Sequence, residues 1–316
     1  MRPLITVIIP VFNAEPYLEE CILSVVNQDF KEIELIVVDD CSTDNSYKIA
    51  ERFAANDDRI ILLRQKRNLG VAVARNRGLS VAKGDLVLFL DSDDYLLDNC
   101  LKKLDRLQKS TDADVIVSLP VSNNNNVLNE KLEFFNRKKA IKYFLNCRKI
   151  SGYSGGKLYK RSIISKIRFH DDMRYGEDGV FSFDSICNSS IVIYTNYKFY
   201  KYRIRNNSLT GRNTDFSDKN LDIFKQIKYL KKINADFPIR WLRIFEFVLF
   251  LSEIKNYENS SKSTKKKYAK IFNLMYNYCS RNWLNVAIST INLRIKKDAI
   301  LFGIHKMGNR YENKNL

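Results

Sequence analysis

The six cysteines, at positions 21, 41, 100, 147, 187 and 279, include no Cys-x-x-Cys pair, which argues against a zinc site or a disulfide framework. Histidine is rarer still, with only His170 and His305. His170, beside Asp171 and Asp172, reads either as a metal ligand or as a surface-loop residue. No N-terminal stretch has signal-peptide form, because the apolar run at residues 4–11 is short and no small-residue cleavage site follows it. Nor is any run long enough to span a bilayer: residues 241–254, the longest apolar segment, are interrupted by Arg243, Glu246 and Glu253. No internal repeat is visible. These absences predict a cytoplasmic protein.

What is there is an ordinary globular composition, 45% apolar and 28% charged, in a chain of 316 residues that can hold one large domain or two modest ones. The charge is unevenly placed. Residues 1–120 carry 15 Lys/Arg against 20 Asp/Glu, leaving 38 against 16 for residues 121–316, so the net charge of +17 comes entirely from the second part. An acidic part suits metal handling, and a basic part suits an anionic partner: nucleic acid, an anionic membrane surface or a phosphorylated substrate.

Residues 4–10 (LITVIIP) predict a buried strand ended by proline, and residues 33–39 (IELIVVD) a second. Between them Leu18, Cys21, Ile22, Val25 and Val26 fall at helical spacing over residues 15–28, with Pro16 suited to the first turn. Ser42, Thr43 and Asp44 offer N-caps for a helix to about residue 55. Residues 59–63 form a third strand, residues 71–82 a helix, and Gly84 leads into a fourth strand. A helix over 97–109 and a strand over 114–119 follow. Such alternation predicts an α/β fold: a Rossmann-like, mostly parallel sheet with helices on both faces. After residue 119 it stops. Residues 122–126 read as an asparagine-rich surface loop, 138–147 as a helix, 191–205 as one extended strand, and everything beyond about 211 as basic, aromatic-rich helix. The expected organisation is a domain over residues 1–210 and a helical C-terminal region over 211–316.

The fourth strand closes on Phe89-Leu90-Asp91-Ser92-Asp93-Asp94. Three carboxylates thus stand at the carboxyl end of a parallel strand, where open α/β sheets bind ligands. Asp-x-Asp supplies hard oxygens for Mn²⁺ or Mg²⁺, particularly when substrate phosphates complete the shell. The competing reading is a solvated acidic turn with Asp94 or Asp98 as the next helix's N-cap. The first strand ends in Pro10-Val11-Phe12-Asn13 and the second in Asp39-Asp40-Cys41-Ser42, so three polar clusters distant in sequence converge on one sheet edge.

Six stretches occur in order over residues 4–98: IIPVFNAE at 8–15, SVVNQ at 24–28, VVDDCSTD at 37–44, NLG at 68–70, ARNRGL at 74–79 and FLDSDD at 89–94. Together they resemble glycosyltransferase family 2, enzymes of GT-A fold that use nucleotide-sugar donors. Gly156-Lys157-Leu158-Tyr159 and Glu177-Asp178 are similar to acceptor-side motifs of bacterial members, and residues 202–208 to their closing segment. Cys41 departs from the glycine usual there, and its small side chain predicts little consequence.

The resemblance implies an inverting, metal-dependent transferase that moves a hexose or N-acetylhexosamine from a UDP-sugar to a hydroxyl of a glycan or undecaprenyl-type lipid-linked acceptor in surface-polysaccharide synthesis. It places Pro10, Phe12 and Glu15 against base and ribose, and Asp40 on the N3–H of uracil. A carboxylate can accept from that imide, which cytosine lacks; helix capping is the other reading of Asp40. Asn68, Arg75, Asn76, Asp91, Ser92 and Arg205 fall elsewhere on the nucleotide sugar, with a solvated helix face as the alternative for Arg75 and Asn76. Asp93 becomes the ligand of Mn²⁺ or Mg²⁺. Asp178 becomes the base that takes the acceptor's proton, with Glu177 as base and Asp178 as helix cap the alternative. Arg203, Arg205 and Ser208 are candidates for a lid over the pyrophosphate.

The C-terminal helices mix aromatics and Leu with many lysines. That fits a region lying on the anionic inner face of the cell membrane, or a bundle that packs its aromatics inward. Two other function classes fit parts of the chain. The basic part would suit a nucleic-acid-binding protein, but the acidic crevice and the lack of a recognition module speak against it, and no nucleic-acid partner is expected. A catalytically inactive scaffold would keep the fold, but the intact Asp91, Asp93 and Asp178 speak against that.

Overall fold

The computed structural model describes residues 4–118, 131–203, 215–233 and 236–312, with side chains as far as 305. The chain divides into two compact units, residues 1–140 with 149–204, and residues 141–148 with 205–316. The expected boundary at 210 kept residues 141–148 with the first part; here they belong to the second.

In the first unit the order is β1 (Ile5–Val11), α1 (Glu15–Val26), β2 (Ile33–Asp39), α2 (Ser46–Ala54), β3 (Ile60–Arg64), α3 (Val71–Val81), β4 (Leu86–Phe89), β5 (Tyr95–Leu96), α4 (Cys100–Thr111), β6 (Val115–Val117), β7 (Leu132–Asn136), α5 (Arg137–Leu145, which runs into the second unit), β8 (Lys157–Lys160), α6 (Arg161–Ile164), α7 (Glu177–Cys187), β9 (Ile191–Thr195) and β10 (Tyr200–Lys201). Eight strands form one sheet in the order β3-β2-β1-β4-β8-β6-β9-β7. The first four are parallel, β8 runs antiparallel to both its neighbours, β6 and β9 are parallel, and β7 is an antiparallel edge.

Strand β1 shows why its residues are apolar on both sides. Val7, Ile9 and Val11 join Leu18, Cys21, Ile22 and Val25 of α1 in one core. Ile8 faces the other way, toward α3, so closely that a Cβ on Gly78 would stand 2.5 Å from the Ile8 Cγ2. A strand covered on both faces needs mostly apolar side chains, as in β1, β2 and β4, and among the buried exceptions Thr6 and Glu34 hydrogen-bond each other at 2.8 Å. The pairing of Val11 with Asp39 and of Ile8 with Phe89 brings the carboxyl ends of these three strands to one edge.

Two local expectations change. The described part of residues 191–205 is not one strand: β9 lies in the large sheet, whereas β10 pairs with β5 in a separate two-stranded ribbon. Thr195 Oγ1 accepts from the Tyr197 N–H at 3.0 Å, a turn-forming bond that ends β9. Because β5 occupies residues 95–96, α4 begins at Cys100, behind Asn99 with φ 59°. The asparagine-rich segment 122–126 lies outside the described residues.

The second unit holds a 3₁₀ turn (Asp218–Leu221), α8 (Asp222–Lys232), α9 (Ile239–Glu258), α10 (Lys262–Ser289) and α11 (Leu293–Glu312). Its aromatics pack on one another: Tyr257 stacks on Phe272 at 4.4 Å, and Phe216 meets Tyr268 at 5.0 Å. Glu246 of α9 is buried with the Lys231 ammonium 2.6 Å away and accepts from the Tyr278 hydroxyl.

The Gly78 contact is testable. Gly78→Val should cost about 1–3 kcal/mol by overpacking α3 against β1, read as a lower urea midpoint at unchanged slope.

Candidate active site

The loops after β1 and β2 are fastened to each other by side chains that the sequence clusters supply. Asn13 N–H donates to Ser42 Oγ (3.1 Å), Ala14 N–H to Ser46 Oγ (2.8 Å), Glu15 N–H to Asp44 Oδ2 (3.0 Å), and Thr43 N–H to Asn13 Oδ1 (2.8 Å). The Glu15 carboxylate accepts from the side chain and backbone of Asn45, and these bonds hold its pKa below the ordinary carboxylate value. Glu15 is thus tied to the residue that precedes α2. Pro10 is buried opposite Val38 in the ladder, while the Phe12 ring is 47% exposed.

Asp40 is buried at 3% exposure. Its Oδ1 accepts from Gln65 Nε2 at 2.6 Å and Leu69 N–H at 2.8 Å, and its Oδ2 from Gly70 N–H at 2.7 Å. A carboxylate has about four acceptor positions, and Asp40 uses three of them to shape the loop carrying exposed Asn68. Cys41, next to it, has φ 63°. This left-handed conformation gives the departure from glycine a physical consequence that side-chain size alone conceals.

At the end of β4, Asp91, Ser92 and Asp93 are partly exposed and Asp94 is buried. Asp94 is not the cap of α4: its Oδ1 accepts the Arg203 N–H at 2.9 Å and ties the segment after β10 to the acidic loop. The Arg203 guanidinium donates to the Asp93 carbonyl at 3.0 Å and to Glu20 at 2.5 Å, between the rings of Tyr17 and Tyr95. It clamps the loop. Arg205 and Ser208 lie outside the described residues. Beneath the loop, burial and then Asp94, Asp91 and Asp93 push the Cys21 thiol well up, which keeps it protonated.

Arg75 of α3 joins the acidic loop to α7. Its buried guanidinium donates to Asp91 Oδ1 at 2.8 Å and to Glu177 Oε1 at 2.9 Å, over the face of Phe169. Burial alone would lower its pKa, but Asp91, Glu177 and Asp178 outweigh burial and raise it. Asn76 has a different task from the one its motif suggests. Its amide donates to the Phe169 carbonyl at 2.8 Å and accepts the Phe169 N–H at 2.9 Å, so both ends bind backbone. Phe169 in turn stacks on Phe181 of α7 at 4.0 Å and meets Phe89 edge-on at 5.1 Å.

Gly176, with φ 80°, turns the chain so that Glu177 and Asp178 form the first turn of α7. Glu177 is buried on Arg75, whereas Asp178 is partly open to water. Burial among protein atoms and the charge of Glu177 push the Asp178 carboxyl up to about 7, with Arg75 and Lys157 opposing. Lys157 of β8 is fully buried and donates to the Tyr153 carbonyl; burial pushes its ammonium down to about 7, with Asp178 opposing. Among the described residues no three His, Cys, Asp or Glu side chains are gathered to hold a metal.

The sequence reading missed Phe169, which carries no motif, and the role of Lys157, whose motif was visible but whose burial beside Asp178 was not.

A mostly parallel α/β sheet with carboxylates at its strand ends, faced by the carboxylate pair of α7, places the protein in the GT-A class. The profile of Glycosyl transferase family 2 matches residues 6–168, and the chain belongs to that family. Glycosyltransferase GlyA of Streptococcus pneumoniae is 34% identical over 65% of this chain, which spans only 31% of GlyA's length. The GalNAc(5)-diNAcBac-PP-undecaprenol beta-1,3-glucosyltransferase of Campylobacter jejuni is 32% identical over 66% of this chain and 67% of its own. In fold, the chain is similar to Staphylococcus aureus TarS 1-349, crystallised with UDP, with a TM-score of 0.68 and 22% identity over 96% of this chain and 88% of that one.

Cys41→Gly should relieve the left-handed strain and raise stability by about 0.5–1 kcal/mol, net of the unfolded-state entropy glycine adds. A guanidinium or thermal melt measures it, and an unchanged or lower midpoint would show that the strain is absent.

Proposed function

We propose that the protein is an inverting glycosyltransferase that moves a hexose or N-acetylhexosamine from a UDP-sugar to a hydroxyl of a lipid-linked glycan at the cytoplasmic face of a membrane, in assembly of a surface polysaccharide. The observation that carries the reading is Arg75, which holds Asp91 of the strand ends and Glu177 of α7 on one guanidinium and so sets Asp178 across from the donor edge. TarS with UDP supports the donor, and the undecaprenol-linked acceptor in the Campylobacter enzyme's name supports the acceptor class. In this reading the first unit, residues 1–140 with 149–204, is the catalytic domain expected over residues 1–210.

Exposed Phe12 and Asn68 and the remaining acceptor position of Asp40 receive the uracil nucleotide. The donor set at the strand ends fits a hard divalent cation: two partly exposed carboxylates one residue apart. Asp93 would hold Mn²⁺ or Mg²⁺ with help from Asp91, the remaining positions going to phosphate oxygens and water. Once bound, the cation supplies neutralisation of the charge growing on the departing UDP.

Asp178 takes the acceptor proton. A base works best with a pKa near the working pH, which its crowded position supplies, and Glu177 is a positioning residue because Arg75 occupies it. The charged groups facing Asp178 are Glu177, Arg75, Lys157 and Asp91. Since the base acts deprotonated, kcat/KM should be half-maximal near the raised Asp178 value of about 7, approach its plateau roughly one pH unit higher and fall below it. Asp178→Asn should remove this limb and lower transfer about 10²–10⁴-fold while UDP affinity stays. Parallel loss of UDP binding would instead mark a structural role. Asp93→Ala should abolish the stimulation of UDP-sugar hydrolysis by Mn²⁺; hydrolysis that still responds to the metal would move the ligand elsewhere.

A further inference from the structure

In the second unit, α10 and α11 are apolar on two sides. Met275, Cys279 and Val286 of α10 and Ile295 and Ala299 of α11 are buried, and Phe302 meets Tyr276 at 5.3 Å and Phe247 at 6.1 Å. A helix with one packed face should be polar on the other. Here the other face carries Leu274, Leu284 and Ile288 of α10, exposed by 52%, 53% and 72%, and Leu293, Ile300 and Ile304 of α11, exposed by 80%, 40% and 56%. With 3.6 residues per turn, these α11 residues fall about 140–180° round the helix from Ile295, opposite its packed face. Arg281, Arg294, Lys296 and Lys297 are exposed in the same stretch, and Asp298 is its only acid between residues 281 and 305.

We propose that the outer face of α10 and α11 docks the protein on an anionic lipid surface. Its Leu and Ile side chains enter the boundary between headgroups and acyl chains, and its Arg and Lys side chains meet lipid phosphates. The pattern of an apolar stripe flanked by cations is the one an interfacial helix uses. Docking is shallow, because among the described residues no helix is long and apolar enough to cross a membrane. A second copy of the chain is a poorer occupant, since a two-fold contact would set the four cations against their own images. The proposal deepens the lipid-linked acceptor reading and rests on it for its purpose, although lipid binding is measured without any sugar transfer.

The test uses the full chain and vesicles of phosphatidylcholine, alone or in equal parts with phosphatidylglycerol. Binding is expected to the mixed vesicles and to weaken with salt. Ile300→Ser with Ile304→Ser, and separately Lys296→Glu with Lys297→Glu, should each weaken it about tenfold. These surface variants should hydrolyse UDP-sugar in lipid-free solution at the wild-type rate. No binding to mixed vesicles, or equal binding by wild type and variants, overturns the proposal. So does a dimer, seen by sedimentation, that the isoleucine variants dissolve while lipid is ignored. Hydrolysis without vesicle binding defeats the docking alone; vesicle binding without hydrolysis defeats the transferase reading alone.

Discussion

One buried guanidinium fixes the geometry of the site. Arg75 reaches Asp91, at the end of β4, and Glu177, at the start of α7, although 102 residues separate Arg75 from Glu177 in the chain. Buried ion pairs are poor sources of stability, because desolvation offsets much of their attraction, but they fix register well. Only a planar fork with several donors can hold two carboxylates from different elements at once. The supports of Arg75 point the same way: Phe169 lies under it, Asn76 pins the Phe169 backbone, and Phe181 ties that ring to α7.

The same arrangement sets the electrostatics. Asp91, Glu177 and Asp178 crowd around one arginine, with Lys157 buried nearby. Negative charge is therefore in excess, and the Asp178 carboxyl is pushed up. In the proposed reading a cation held at the strand ends would relieve the excess on one side, and Asp178 would take the acceptor's proton on the other. Structural scaffolding and acid–base tuning thus come from the same residues.

Much of this was legible in the sequence. The four parallel strands and their convergent carboxyl ends follow from short β-branched runs separated by helical spacing, because a strand buried on both faces admits few polar side chains. The acidic cluster and the Glu177-Asp178 pair were found by the same reading. What it could not show are the partners. Asn76 sits in a motif but binds the backbone at Phe169; Asp94 holds Arg203 rather than capping α4; the described part of residues 191–205 breaks at Thr195 into two different sheets. Each depends on a contact between segments far apart in sequence, and such contacts leave no periodic trace in either segment.

The most direct measurement is steady-state and binding analysis of Arg75→Lys, which keeps the charge and loses the fork. If the bridge aligns the base with the donor, kcat should fall about a hundredfold while the dissociation constant for UDP is unchanged, as expected for misplacement of groups that act only in the transition state. Wild-type kcat, or equal losses in kcat and UDP affinity, would contradict the account. The first would make the bridge dispensable, and the second would make Arg75 a nucleotide contact.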